Sequence, residues 1–258
     1  MPVLERILIY PIKSLDGVGT KSAKLVEGGA LQFDRKFALV DENGLFVSAK
    51  RFPLIHRLRA EFDLEACTVT LTAPHQSPCT FDLCGSLGHL EDFFSSYFGF
   101  RVRLVQNSAG GFPDDTDCPG PTIAARTTFE HLTKWFPDLC VEELIRRFRA
   151  NLILGEAEAF WEDRLVGSEG EGVRFRIGEV IYEGWKPCAR CAVPTRNTLT
   201  GESDARFQQI FSERRQKELP IWAEPSRFTH FYRLGVNTRA AAQEIGKTLH
   251  VGDPVALL

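Results

Sequence analysis

The chain has 258 residues, of which 43% are apolar and 25% charged, and its net charge is −3. Such a composition excludes a disordered chain, and the absence of any long charge block excludes a nucleic-acid-binding tail, so any anion site must be built locally. The length suits one large or two ordinary globular domains. Met1-Pro2-Val3-Leu4-Glu5-Arg6 lacks a basic region followed by an apolar stretch, and no window approaches the roughly 18 uncharged apolar residues of a membrane span, so a cytoplasmic protein with no membrane and no nucleic-acid partner is expected. The seven cysteines are odd in number and irregularly spaced, which fits reduced thiols better than a disulfide framework.

In chain order, residues 5–12 and 34–40 carry the apolar and β-branched clustering of strands, and Asp41-Glu42-Asn43-Gly44 reads as a hairpin turn into Leu45-Phe46-Val47. Further strands are predicted over 57–63 and 68–73. Ser86 is placed to cap a helix with Leu87, Leu90, Phe93, Phe94 and Tyr97 on one side, and a strand from Arg101 to Val105 follows. Residues 107–122 hold three Pro, three Gly and three Asp, the sharpest loss of apolar periodicity in the chain, which sets a boundary between domains at 1–111 and 112–258.

Beyond it, Thr127 and Glu130 predict a capping box opening a helix, and Val141, Leu144, Ile145 and Phe148 form a second helical stripe. From Phe148 to Leu154 the pattern switches to period two, which would place Arg149 and Asn151 on one face of a strand. Val173–Ile177 and Val180–Tyr182 flank a Gly178-Glu179 turn, and the second strand leads toward a pair of thiols. A helix over about 205–216 and a strand with an internal turn over 248–255 close the chain. The fold class is mainly β with a few helices, α+β.

The chemistry concentrates in Lys186-Pro187-Cys188-Ala189-Arg190-Cys191, where two thiols three residues apart lie close to two cations. Thiolates are soft ligands and nucleophiles, and nearby positive charge favours the thiolate. Structural zinc would need four ligands and only one Cys-x2-Cys pair exists. A thioredoxin-type role would want the pair at the start of a helix, whereas strands and Pro187 and Pro194 flank it. What remains is one thiolate on a metal cofactor gripped elsewhere by cations, with Lys13, Arg35, Arg149 and Arg190 as candidates, because guanidinium forks match phosphate oxygens.

Together these segments resemble the MOSC superfamily, and within it the amidoxime-reducing branch. Tyr10-Pro11-Ile12-Lys13-Ser14 and Asp34-Arg35-Lys36-Phe37-Ala38-Leu39-Val40 are similar to signatures of that family's N-terminal β-barrel domain. Phe148-Arg149-Ala150-Asn151, the 186–191 segment and Val251-Gly252-Asp253-Pro254-Val255 resemble those of the MOSC domain. The resemblance implies a MOSC β-barrel domain preceded by a β-rich N-terminal domain, binding a pterin-type molybdenum cofactor (Mo-molybdopterin). Cys191 would be the metal ligand and catalytic thiol. Lys13, Ser14, Arg35, Gly120, Arg149, Asn151 and Arg190 would hold the pterin and its phosphate.

By the same resemblance the reaction would be reduction of N-hydroxylated compounds such as amidoximes and hydroxylamines. The 258 residues contain neither a Cys-x4-Cys-x2-Cys run nor a nucleotide-binding glycine fingerprint, so electrons would come from a separate electron-transfer protein of ferredoxin, flavin or haem type. The alternative is a non-catalytic cofactor-binding or sulfur-carrier module, since MOSC domains also occur in sulfurases. Three departures stand out: Ala150 replaces a usual proline, Thr198-Leu199-Thr200-Gly201 lacks an Asp-Pro pair before Thr-Gly, and Phe231, beside Tyr232, takes the place of a tyrosine.

Overall fold

The computed structural model describes residues 1–258 and contains fifteen strands and four α-helices. The N-terminal half comprises β1 (Val3–Ile9), β2 (Val18–Thr20), β3 (Ser22–Lys24), β4 (Phe37–Val40), β5 (Arg59–Asp63), β6 (Thr68–Thr72), β7 (Cys79–Asp82), α1 (Gly88–Phe98) and β8 (Arg103–Gln106). The rest comprises β9 (Ile123–Ala125), α2 (Arg126–Leu132), α3 (Val141–Phe148), β10 (Leu152–Gly155), β11 (Val173–Ile177), β12 (Val180–Ala189), α4 (Phe207–Lys217), β13 (Arg233–Ala240), β14 (Thr248–His250) and β15 (Val255–Leu257).

An eight-stranded sheet runs in the order β15-β11-β12-β13-β9-β10-β1-β2. Its first six members come from the C-terminal half, so the amino-terminal strand crosses into that sheet and pairs antiparallel with β10. A bulge between Leu4 and Arg6 shifts the alternation of β1, which is why Leu4, Ile7 and Ile9 all reach the core. β3 likewise crosses to pair with β14, while β4-β8 and β5-β6-β7 form two smaller sheets within the N-terminal half.

Apolar burial, the main driving force of folding, is divided among three clusters. One lies on the large sheet and joins Leu4, Ile7 and Ile9 to Phe175, Tyr182 and Val236. A second fills the N-terminal sheets and seats Phe94 of α1 against Phe37, Leu39, Val69 and Leu71. The third binds α2, α3 and α4 to the sheet through Phe129, Phe148, Ile153, Phe207 and Phe211, with Phe136 stacked on Phe207 at a centroid distance of 4.2 Å.

Four expectations are corrected. α1 begins after Leu87, with no side-chain cap from Ser86. α2 has no capping box, because Thr127 Oγ1 donates to Ala157 O at 2.7 Å and Glu130 pairs with Arg126 at 3.0 Å. The period-two reading of 148–154 fails because Phe148 completes the buried stripe of α3, and the chain then turns through Arg149 in the left-handed region (φ 54°) before β10 starts at Leu152. Arg149 and Asn151 therefore do not share a strand face. Finally, Cys67 and Cys84 are joined by a disulfide, leaving Cys79, Cys118, Cys140, Cys188 and Cys191 free. The β6–β7 pairing, with Leu83 N donating to Cys67 O, brings these two thiols together.

No helix is long and apolar enough to cross a membrane. Between α4 and the helical turn at Trp161–Leu165, Arg215 pairs with Asp163, the two side chains being 1% and 3% exposed. The guanidinium also lies over Phe160 at 4.3 Å and Phe228 at 5.0 Å. Removing one partner leaves a buried charge uncompensated. Asp163→Ala should cost about 3–5 kcal/mol by urea denaturation, and the apolar double substitution Asp163→Leu with Arg215→Met should restore much of that loss.

Candidate functional site

A cleft of about 390 Å³ lies where N-terminal loops meet the ends of α3 and β12, roofed by the Pro- and Gly-rich segment around residues 110–122. All eight residues singled out by sequence, Lys13, Ser14, Arg35, Gly120, Arg149, Asn151, Arg190 and Cys191, line it. They arrive from five stretches far apart in the chain. Three of them, Ser14 (φ 76°), Arg35 (φ 48°) and Arg149 (φ 54°), are non-glycine residues held at positive φ. Each such conformation costs on the order of 1–3 kcal/mol and persists only where the surroundings over-determine it.

The cations are crowded and unevenly satisfied. Lys13 Nζ donates to Phe112 O at 2.9 Å and pairs with Asp114. Arg35 pairs with Asp34 and donates to Asn151 Oδ1 at 3.3 Å. Arg149 stacks on the Tyr10 ring at 4.1 Å and donates through Nη1 to Leu15 O at 2.6 Å, but its buried Nη2 has no partner. Arg190 sits over Phe148 at 5.4 Å, and both its Nε and Nη2 are buried without partners. Unsatisfied buried donors cost free energy. Burial and the neighbouring Arg35 hold Arg149 below the usual arginine pKa, although Tyr10, Asp16 and Asp114 oppose this.

Sequence reasoning missed the acidic half of the site. Asp34, Asp114 and Asp115 line the same cleft. Asp115 accepts from Asn237 Nδ2 at 2.9 Å and pairs with Lys186 at 2.8 Å, and those partners hold its carboxyl below the ordinary range against the opposing effect of burial. The three Asp residues of the 107–122 segment mark it as more than a linker, and adjacency to Arg35 marks Asp34; Asn237 and Arg147 carry no local signal. Gly120 is constrained by packing, since a Cβ there would lie 2.6 Å from Thr238 O. Its N–H already donates to Thr238 O at 3.0 Å.

The thiols differ. Cys188 is buried near the end of β12, whereas Cys191, just beyond the strand, is exposed and its Sγ accepts from Val193 N at 3.5 Å. A third cleft thiol, Cys118, is buried, and desolvation together with Asp115 pushes it up to about 11. Tyr232 lies behind Arg190, whose N–H donates to Tyr232 O at 3.0 Å; its own buried Oη has no partner. One accessible soft ligand beside buried, under-satisfied guanidinium groups suits a ligand that joins a metal to an anion.

The family model described as the MOSC N-terminal beta barrel domain matches residues 1–98, and that of the MOSC domain matches residues 125–256. Among curated proteins, the chain is 25% identical over 232 residues to the molybdenum cofactor sulfurase of Drosophila mojavensis, covering 78% of this chain and 29% of that protein. It is 24% identical over 302 residues to molybdenum cofactor sulfurase 2 of Culex quinquefasciatus, covering all of this chain and 37% of that protein, and 22% identical to the Bos taurus sulfurase, covering 84% and 29%. The chain thus spans about a third of the length of these relatives. With both family models matched in order over most of its length, the chain belongs to the MOSC family.

Proposed function

We propose that the cleft binds a pterin-type molybdenum cofactor through Cys191 and that the protein is an oxidoreductase reducing N-hydroxylated compounds. The observation that carries the binding is the set of buried, partnerless N–H groups on Arg149 and Arg190, in a cleft whose one exposed thiol is Cys191. A phosphate would satisfy those donors, and a soft metal would take the thiolate. Lys13, Ser14 and Arg35 would complete the grip, with Asn151, whose side chain is fully hydrogen-bonded, positioning Arg35. When bound, the cofactor supplies the two-electron chemistry of nitrogen–oxygen bond cleavage.

The reaction balances as R–NHOH + 2 e⁻ + 2 H⁺ → R–NH₂ + H₂O, with both electrons from a separate ferredoxin-, flavin- or haem-type protein. The residues of this chain would anchor the phosphate, fix the metal and keep the inner thiols out of the chemistry. The amidoxime-reducing assignment rests on the resemblance of the five signatures. The names of the curated relatives favour a second reading, a cofactor-binding or sulfur-carrying module without reductase activity. Reduction of benzamidoxime by the loaded protein with a chemical reductant separates the two, since a carrier module would give no turnover.

Cys191→Ser should abolish that activity and metal retention, because oxygen is a harder ligand than sulfur, while Cys188→Ser should be milder; the reverse ranking would move the ligand to Cys188. Arg149→Ala should weaken cofactor retention by about 1.5–3 kcal/mol, the value of a charge-assisted bond, as measured by cofactor release on dialysis. In cofactor-free protein at pH 8, alkylation followed by mass spectrometry should modify Cys191 at least about tenfold faster than Cys118 or Cys188, since exposure and thiolate fraction set the rate.

A further inference from the structure

A second cavity, of about 380 Å³, adjoins the cleft and shares Ser14, Ala49, Arg147, Arg149 and Val193 with it. Five arginines line it, Arg6, Arg59, Arg146, Arg147 and Arg149, against the carboxylates of Asp16 and Glu142. Those carboxylates are committed: Asp16 pairs with Arg59 at 3.4 Å and Glu142 with Arg6 at 2.8 Å. Glu143 takes Arg147 at 2.8 Å and Arg146 at 3.2 Å. Arg149 Nη2 is left without an acceptor.

His56 gives an independent pointer. It lines the cavity, is 9% exposed, and its Nε2 has no partner. Burial and the charges of Arg149, Arg196 and Arg59 push it down to about 4, with a bond to the Ala49 backbone opposing them, so at neutral pH it is uncharged. An anion in the cavity would offset those cations and favour protonation of Nε2, turning an orphaned atom into a donor. Leu15, Ile55 and Ile145 add apolar wall to the same space.

We propose that this second cavity binds a small organic oxyanion, a carboxylate or phosphate group on an apolar body, beside the cofactor cleft; the two sites share Arg149, so the test is made on cofactor-free protein. Arg149 and protonated His56 hold the oxyanion, Arg59 and Arg146 on the same cavity wall add charge, and the apolar lining receives the body. The oxyanion chemistry is common to carboxylates and phosphate esters, so the test uses one probe of each.

Benzoate and phenyl phosphate are titrated into the 258-residue protein, free of cofactor, by calorimetry, with the His56 ring followed by NMR. Saturable binding of either probe is expected, weakened roughly tenfold or more in Arg59→Gln and in Arg146→Gln as a charge-assisted contact is lost, and unchanged in Lys13→Gln, which alters only the cleft. In wild type the bound probe should move the His56 titration upward from about 4. Absence of saturable binding overturns the proposal. So does binding lost in Lys13→Gln but retained in the other two variants, which would put the anion in the cleft. Arg146 is half exposed, so its variant tests the charge without disturbing the fold, and an unmoved His56 on saturation would also overturn the assignment.

Discussion

The geometry of the cleft depends on one buried polar knot around Asn151. Its side chain is 1% exposed and makes four hydrogen bonds: Nδ2 donates to Leu8 O and to Asp34 Oδ1, both at 3.0 Å, and Oδ1 accepts from Arg35 Nη1 and from Thr122 N, both at 3.3 Å. Asp34 Oδ1 accepts in turn from Tyr10 N at 2.9 Å. The knot ties β1, the loop bearing Arg35 and the roof of the cleft to the start of β10. Buried amides are costly unless fully satisfied, and this one is satisfied only when both halves of the chain are in register. The pairing of β1 with β10 sets that register and brings the segment that follows β1 against Arg149, which stacks on Tyr10 and donates to Leu15 O.

Around this knot the cleft concentrates strain and charge. Ser14, Arg35 and Arg149 are held at positive φ, and Asp34, Asp114 and Asp115 lie among the cations. Such a set is poorly suited to stabilising the fold alone, since burying charge rarely repays its desolvation. It is well suited to receiving an anion that replaces carboxylates as partner to the same donors. Asp114, the partner of the largely buried Lys13, is itself exposed to solvent.

Much of this was legible in residues whose role is local. The Asp41–Gly44 turn is held by Asp41 Oδ1, which accepts from Asn43 N and Leu45 N at 3.0 Å, and β11 and β12 flank the Gly178-Glu179 turn as their alternation requires. The thiol pair does stand at the end of a strand. Periodicity misled at Phe148, which fits a helical stripe and an alternating strand equally well; its packing between Phe129 and Phe207 decides for the helix. The Cys67–Cys84 disulfide was hidden because β7 reads as a loop, its residues being mostly exposed, and only the register of β6 with β7 brings the two cysteines together. The acidic partners of the cations and the second cavity are properties of tertiary placement with no counterpart in spacing.

The most direct test of cofactor binding is molybdenum content and pterin fluorescence after oxidation, measured on the 258-residue protein produced in a host that makes the cofactor, beside Cys191→Ala. The account predicts near-stoichiometric molybdenum and pterin in the wild type, with the metal lost from the variant. Wild-type protein carrying neither metal nor pterin would contradict it and leave the cleft to another anion.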